Sequence, residues 1–352
     1  MSHGGKPLSP LAYGLSLGIL SVSVFTLFAV LLFLVCKKRS IQPEDALPIK
    51  LSARSYSLAD VDAATDGFSR RQLLGEGPHG AVYQATLASG ELVAVKRVHP
   101  HLALGQAGSS FASTIKSLSW AHHPHIVPVV GFSQGPGERI VITELMGLRS
   151  LEFHLHRRPE SGAAFLDWPR RIKIAAEAAR GIEYLHETAT PRLVHGCVKP
   201  SNILIDLNFR ARVGDYGLAF LGPTERRGVE AYVDWEYWEE KDGGACMASD
   251  VYGLGVVLLE LLSGRWSEAA EPRQLVEWAQ PLIRESRVGE LLDPRVRGPQ
   301  QQALMRSLER TAKVALACVG NSRKNRPSIV QVAAILNGLV DVDDDQFSSR
   351  IN

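Results

Sequence analysis

The distribution of hydrophobic and polar positions divides the chain into an apolar N-terminal segment and a longer part with mixed patterns. Residues 1–10 are mainly polar, and residues 11–36 contain no charged side chain before three consecutive cations follow. A helix needs about 20 apolar residues to cross the ~30 Å hydrocarbon core of a bilayer. This run is too long for a signal peptide and has no obvious small-residue cleavage site. We therefore predict one transmembrane helix at residues 11–36, preceded by a short extracytoplasmic N-terminus.

The cations after the apolar run indicate on which side of the membrane the rest of the chain lies. Positively charged flanks stay in the cytoplasm, so we predict a cytoplasmic location for everything that follows the span. Residues 37–69 form a juxtamembrane linker. Within it, Ser57 and Asp60 have the spacing of a capping box and predict a short helix that ends near Gly67. Cys36 at the membrane edge is as compatible with palmitoylation as with an unmodified thiol.

From residue 70 the pattern changes to short strands separated by turns. The stretch from Leu74 to Val82 contains three glycines between β-forming residues. Glycines allow backbone amides to approach a phosphate group closely. The next predicted strand, residues 92–96, ends in Lys96, whose ammonium can pair with phosphate. A flexible hairpin would have the same glycine pattern, so the glycine motif alone is a weak signal.

A polar loop between two apolar segments carries the second group of candidate residues. Residues 172–186 have helical periodicity, and residues 203–205 predict a short strand. Between these segments lie Lys199 and Asn202, and Asp215 follows with a glycine two positions later. The glycine motif, the strand lysine, the polar loop and the Asp-x-Gly motif occur in this order, and a chance assembly of all four is disfavoured.

These motifs, with several flanking ones, resemble the domain of a plant receptor-like serine/threonine protein kinase over about residues 56–338. The resemblance implies that Asp250 is a buried acid in the core helix of the large lobe. It also implies that Arg326 pairs with the end of the activation segment. The flanking motifs are Tyr56 to Phe68, Leu166-Asp167-Trp168, Arg180 to His186, Ser249-Asp250-Val251-Tyr252-Gly253 and Arg326-Pro327-Ser328.

The fold that this resemblance implies is the α+β, two-lobed protein-kinase fold. A small lobe of twisted antiparallel strands with one helix would span about residues 70–143, and a mostly helical large lobe about residues 148–338. The kinase-like domain would thus occupy residues 70–338, after the transmembrane helix and before an acidic, disordered tail at residues 339–352. A hydrophobic content of 45% and a charged content of 22% are typical of a globular domain.

The resemblance also implies roles in binding ATP and Mg²⁺. Nucleotide would bind between the lobes, with Lys96 at the α- and β-phosphates and Lys199 at the γ-phosphate. Asn202 and Asp215 would be ligands of Mg²⁺, and Thr143 would be the gatekeeper beside the adenine. The other residues implied to contact the nucleotide are Leu74, Gly75, Glu76, Gly77, Gly80, Val82, Ala94, Glu144 and Met146.

The chain departs from the family pattern on the catalytic side of the site. Cys197 stands where the family has the catalytic Asp, and residues 188–205 contain no acid. Thr114 stands where a helix Glu would clamp Lys96, and residues 92–137 contain no Asp or Glu. A thiol is a poor general base at neutral pH, and a general base typically contributes about 10²–10⁴-fold to a rate. Further departures near the activation segment are Gly196, Val229 and Trp235.

These observations predict a membrane-anchored receptor-like kinase homologue that binds ATP and signals mainly as a catalytically impaired pseudokinase or allosteric partner. The alternative is an active Ser/Thr protein kinase of low activity that transfers the γ-phosphate to protein hydroxyls. A weaker third interpretation is a redox-sensitive thiol at Cys197 in the cleft, but we predict an ordinary neutral thiol there instead. The expected partners are ATP, the plasma membrane, and other receptor-like kinases or cytosolic signalling proteins. A net charge of +2 indicates no nucleic-acid partner.

Overall fold

In the computed structural model the chain divides into two units, Met1–Ile49 and Lys50–Asn352. The residues that the structure describes are Thr26, 52–77, 79–100, 102, 108–157, 166–218, 229–239, 244–267 and 274–348. None of the helices in these ranges combines the length and the apolar character that crossing a bilayer requires. The predicted transmembrane helix at residues 11–36 lies outside the described residues, apart from Thr26.

A six-stranded sheet forms the small lobe. Its order is β1-β5-β6-β4-β3-β2, and each neighbouring pair is antiparallel except the parallel pair β1 with β5. Because β3, β4 and β6 pair side by side, the glycine motif, Lys96 and the end of β6 become neighbours. The strands are β1 (Arg54–Ser55), β2 (Leu73–Gly77), β3 (Gly80–Thr86), β4 (Leu92–Val98), β5 (Val129–Gly135) and β6 (Glu138–Glu144).

The segment before the glycine motif is part of the small lobe. Helix α1 (Leu58–Ala64) follows β1, and Ser57 caps it by accepting a 3.0 Å hydrogen bond from the amide of Asp60, which confirms the predicted helix start. The helix ends shortly before Gly67. Val61 of α1 is fully buried among apolar side chains of β4, β5 and β6. The strand β1 was not predicted, because two polar residues show no apolar alternation.

Helix α2 (Gly108–Leu118) packs one face against the rest of the small lobe. Phe111, Ile115 and Leu118 are each 2% exposed or less, and their i, i+4, i+7 spacing places them on one face of the helix. Phe111 meets Phe132 of β5 edge to face, with 6.3 Å between the ring centroids. This packing fixes the helix that carries Thr114.

The large lobe is built around helix α4, whose residues are buried almost throughout. A helix that is apolar on all sides belongs at the centre of a core. Beside the helices, a two-stranded antiparallel sheet follows the polar loop and precedes the Asp-x-Gly motif. The helices are α3 (Trp168–Glu183), α4 (Met247–Ser263), α5 (Gln274–Arg284), α6 (Val288–Leu291), α7 (Gln302–Cys318) and α8 (Ile329–Ser348), and the strands are β7 (Ile203–Ile205) and β8 (Ala211–Val213).

The last helix extends past residue 338, where the sequence predicted the domain to end. Leu339 is 2% exposed, and Val340 also packs against the large-lobe core. These two apolar residues continue the buried face of α8, so the helix does not stop before the acidic run. It continues to Ser348, whereas the sequence predicted a disordered tail from residue 339.

Candidate functional site

A buried carboxylate of α4 anchors the polar loop. Asp250 is 1% exposed and accepts hydrogen bonds of 2.8 Å from the backbone amides of His195 and Gly196. It also lies 2.8 Å from Nε2 of His186, which follows helix α3. Several donors to one carboxylate offset the cost of burying its charge. This confirms Asp250 as the predicted buried acid and fixes the backbone immediately before Cys197.

Further hydrogen bonds close the polar loop onto the Asp-x-Gly segment. Asn202 donates from Nδ2 to the carbonyl oxygen of Cys197 at 3.0 Å. The amide of Gly214 donates to the carbonyl oxygen of Asn202 at 2.8 Å, and the amide of Gly217 to that of His195 at 3.0 Å. The polar loop and the residues around Asp-x-Gly are therefore held as one unit.

Cys197 lies in this unit, and its side chain is half-buried. Its backbone amide donates to Nδ1 of His195 at 3.3 Å, so both its amide and its carbonyl group are engaged. The loop itself supplies no carboxylate, since residues 188–205 contain no Asp or Glu. A neutral thiol accepts a proton poorly, so this position carries no ordinary general base.

Lys96 of β4 forms an ion pair with Asp215. The Lys96 side chain is 11% exposed and that of Asp215 is 31% exposed. Burial by itself raises the pKa of the Asp215 carboxyl, but the Lys96 ammonium outweighs burial and holds this pKa below its ordinary value. Asp215 has a left-handed backbone with φ +58°, which is uncommon outside glycine and persists where neighbouring contacts hold it.

Helix α2 supplies no carboxylate to Lys96. Thr114, at the position where the family has Glu, donates its hydroxyl to the carbonyl oxygen of Ser110 at 2.8 Å, within its own helix. Residues 92–137 contain no Asp or Glu, so no other residue of α2 can provide a carboxylate. Asp215 is therefore the counter-ion of Lys96 in this cleft, a pairing that sequence analysis did not foresee.

The nucleotide-contacting residues implied by the sequence lie on adjacent strands of the small lobe. Across β3, β4 and β6, Val82 pairs with Lys96 and Ala94 pairs with Thr143. This register gathers residues from three separate segments at one edge of the cleft. The remaining residues of this set, on β2 and at the end of β6, are the exposed Leu74 and Glu76 and the half-buried Glu144 and Met146.

The three glycines of the motif differ in whether their surroundings would admit a side chain. A Cβ placed at Gly75 or Gly77 would meet nothing within 4 Å, so these two positions border open space. Gly80 has φ +150°, and a Cβ there would lie 2.1 Å from the carbonyl oxygen of Arg97. Gly80 is thus required by the pairing of β3 with β4, whereas Gly75 and Gly77 leave room for a ligand.

His79, in the turn of the glycine motif, is a site residue that sequence analysis did not consider. Burial and the nearby Lys96 ammonium lower the pKa of His79 to about 4, and Lys199 acts in the same direction. Asp215 acts oppositely but does not compensate. The imidazole is therefore neutral at neutral pH and belongs to the same electrostatic cluster. No motif marks a histidine at this position, so only the fold could reveal it.

The cleft fits a triphosphate group. Lys96 and Lys199 are 11% and 8% exposed, so both cations are shielded from bulk water. Gly75 and Gly77, on β2 of the same sheet as Lys96, border open space. Shielded cations attract phosphate more strongly than exposed ones, because the local dielectric is lower. These residues would hold the phosphates of ATP.

For Mg²⁺ the donor types fit, but one donor is already engaged. Asn202 uses its amide nitrogen towards Cys197, and its amide oxygen is a typical ligand for a hard cation. The carboxylate of Asp215 is also a suitable ligand, yet it is paired with Lys96. In the described part of the chain, no group of three or more His, Cys, Asp and Glu side chains could hold a metal ion.

An ion-pair network fixes the end of the activation segment. Asp234, 1% exposed, accepts a 2.5 Å hydrogen bond from Nη1 of Arg326, which confirms the predicted pairing of Arg326 with this segment. Arg323 also contacts Asp234, at 2.9 Å, and its amide donates to Glu236 at 3.0 Å. Trp235 donates its indole N–H to the carbonyl oxygen of Asn321 at 2.9 Å. Residues 234–236 are therefore held against the loop before α8.

Two lobes that meet with Lys96 on one side and Asp215 on the other define the protein-kinase fold. The family described as protein tyrosine and serine/threonine kinase matches residues 68–336. The chain therefore belongs to this kinase family, within its receptor-like kinases, as its relatives show.

Two relatives are receptor-like kinases of Arabidopsis thaliana. Receptor-like protein kinase BRI1-like 3 is 36% identical over 308 residues, which is 84% of this chain and 26% of that protein. Proline-rich receptor-like protein kinase PERK7 is 35% identical over 317 residues, which is 86% of this chain and 44% of that protein. The chain thus spans less than half the length of these curated relatives.

A solved structure with the same fold is the pseudokinase domain of BIR2, an immune regulator of the RLK/Pelle family. It is 30% identical in sequence and superposes with a TM-score of 0.67. The match covers 81% of this chain and 86% of that one. The likeness supports the two-lobed architecture, with a β-sheet small lobe and a helical large lobe.

Proposed function

We propose that this protein is a membrane-anchored receptor-like kinase homologue that binds ATP and acts mainly as a catalytically impaired pseudokinase. In this role the kinase-like domain, residues 70–338, works as an allosteric partner or scaffold for active kinases or cytosolic signalling proteins. The apolar run at residues 11–36 would anchor it in the plasma membrane, and residues 37–69 would link the anchor to the domain in the cytoplasm.

The observation that carries this proposal is the chemistry at Cys197. The loop around it keeps its anchoring, since Asp250 holds the amides of His195 and Gly196. The side chain at the base position is nevertheless a thiol, and residues 188–205 offer no carboxylate. Loss of a general base typically costs about 10²–10⁴-fold in rate. A loop that is held in place but lacks a carboxylate at Cys197 supports a role in nucleotide binding more than a role in phosphoryl transfer.

The state of Lys96 adds a second impairment. Its carboxylate partner is Asp215, and Thr114 of α2 offers only a hydroxyl that is bonded to Ser110. Phosphoryl transfer depends on positioned cations and Mg²⁺ at the phosphates. Among the described residues Lys96 and Asp215 hold one another, so the position of each side chain depends on the other. The loss at Cys197 acts on transfer and not on nucleotide affinity, because a general base takes part only in the chemical step.

The experiment that tests impaired catalysis measures transfer of radiolabelled γ-phosphate to a generic protein substrate by the full chain in detergent. We expect the wild-type signal to equal that of Asp215→Ala within error. The activity of Cys197→Asp is measured as well. Its matched control is Cys246→Asp, which places a new carboxylate on a half-buried cysteine at the N-cap of α4, where Asp is tolerated. Robust wild-type transfer that Asp215→Ala abolishes would contradict the proposal.

The second candidate function is a Ser/Thr protein kinase of low activity. Lys96, Lys199, Asn202 and Asp215 are all present, and this retained set favours the alternative. Cys197→Asp should then raise an already measurable rate by up to about 10²–10⁴-fold, whereas Cys246→Asp should not. If neither the wild type nor Cys197→Asp transfers phosphate, this alternative is excluded.

Nucleotide binding is tested separately from transfer. We expect ATP at about 100 times its Kd to raise the melting point of the full chain, equivalent to about 2.7 kcal/mol of stabilisation. Lys96→Met should remove most of this shift, since it deletes a shielded cation of the cleft. An unchanged melting point at millimolar ATP would show that the cleft does not bind nucleotide.

A further inference from the structure

Lys96 pairs with a carboxylate that is also the predicted Mg²⁺ ligand. The ion pair joins β4 to the Asp-x-Gly segment across 119 positions of sequence. With 11% of its side chain exposed, Lys96 needs an anionic partner, because a shielded and unpaired ammonium is costly. The partner it has is Asp215.

Helix α2 cannot take over this partnership. The hydroxyl of Thr114 is bonded to the carbonyl oxygen of Ser110, and residues 92–137 contain no acid. The absence of an acid from residues 92–137 is a property of the sequence, so it holds whatever position α2 adopts. A movement of the helix therefore cannot release Asp215 from Lys96.

A divalent ion at Asp215 would compete directly with Lys96. It would either displace the ammonium, which would then have only the phosphates as counter-ion, or share one carboxylate with it. Mg²⁺ also gives up its hydration shell reluctantly. Where a helix carboxylate holds the lysine, Mg²⁺ meets no such competition. In this chain Mg²⁺ has to compete with Lys96 for the carboxylate of Asp215.

We propose that this cleft binds a nucleoside triphosphate without needing a divalent metal, because Lys96 serves as the resident cation of Asp215. The inference rests on the proposed nucleotide binding and adds which form of the nucleotide the cleft accepts. Lys96, held by Asp215, and the shielded Lys199 supply positive charge to the phosphates. Mg²⁺ consequently adds little affinity.

The experiment compares binding of the fluorescent nucleotide mant-ATP to the full chain in nonionic detergent, once with EDTA and once with millimolar Mg²⁺. The measured quantity is the ratio of the two Kd values. For the wild type we expect less than about a threefold gain from Mg²⁺, which is well under one tenfold step in affinity. A gain of tenfold or more would overturn the inference.

A substitution in α2 tests the physical cause. Thr114→Glu gives Lys96 a second carboxylate and releases Asp215, so Mg²⁺ should now tighten binding by at least about tenfold. Ser113→Glu is the matched control, because it adds the same charge at an exposed position of the same helix. It should keep the wild-type ratio. If Thr114→Glu also keeps the wild-type ratio of Kd values, the pairing of Lys96 with Asp215 is not the cause of the small gain from Mg²⁺.

The two proposals fail in different ways. Metal-dependent binding by the wild type overturns this inference and leaves the proposed nucleotide binding intact. Absence of binding in both buffers overturns the two together. If Thr114→Glu does not fold, which its melting curve shows, the wild-type ratio decides by itself.

Discussion

The ring of Tyr56 lies so close to Gly131 that a Cβ at Gly131 would come within 2.5 Å of it. The same Cβ would lie 2.8 Å from the carbonyl oxygen of Arg54. Tyr56 also donates its amide to the carbonyl oxygen of Phe132 at 2.9 Å. The lead-in segment is thus fitted to β5, and a glycine on β5 makes room for it.

Gly131→Ala should therefore destabilise the domain by about 1–3 kcal/mol, because an added methyl in a filled space displaces either Tyr56 or β1. Urea denaturation of the full chain measures the change. Gly289→Ala, in helix α6 with nothing within 4 Å of its Cβ, is the control. It should be neutral or stabilising by up to about 1 kcal/mol. Equal effects of the two variants would show that β1 is not docked.

Asp250→Ala should destabilise the domain by about 3 kcal/mol or more, because the amides of His195 and Gly196 lose a charged acceptor. Asp250→Asn retains one acceptor oxygen and should lose less. Asp60→Asn, an exposed carboxylate on α1, should change stability by no more than about 0.5 kcal/mol. Chemical denaturation ranks the three variants, and a loss at Asp250 no larger than that at Asp60 would contradict the anchoring role.

Arg326→Ala should cost about 3 kcal/mol, because Asp234 is 1% exposed and would lose its shortest partner. Arg323→Ala should cost less, since Arg326 still compensates the carboxylate. The double variant should cost more than the sum by about 0.5–3 kcal/mol, because only then is Asp234 left unpaired. A double-mutant cycle in urea measures this coupling, and strict additivity would contradict the shared partner.

The domain should lose stability as the pH falls from about 7 to about 5.5. Burial is the first cause that lowers the pKa of His123, to about 4, and burial also lowers the pKa values of His125 and His195. In the unfolded chain each titrates near 6.5, so unfolding takes up protons below that pH. Each imidazole contributes at most about 1.4 kcal/mol per pH unit in this window. His123→Gln should make the pH dependence of the urea midpoint shallower, and an unchanged slope would argue against a half-buried, neutral His123.

Much of the architecture could be predicted from local sequence. Periodicity located α3 and the strand Ile203–Ile205, and the Ser57 N-cap marked the start of α1. These features depend on residues within a few positions of one another. The sequence predicted a disordered tail from residue 339, whereas α8 continues past this point, because Leu339 extends the buried face of the helix.

For the site, the sequence by itself determined what chemistry is missing. Residues 188–205 and 92–137 contain no acid, so no fold could place a local carboxylate at Cys197 or on α2. Only the tertiary structure decided how the remaining charges pair. Lys96 meets Asp215, Asp234 meets Arg326, and the neutral His79 lies within the electrostatic influence of Lys96, Lys199 and Asp215. The reason is that an ion pair between distant residues depends on separation in space, and the separation along the chain carries no record of it.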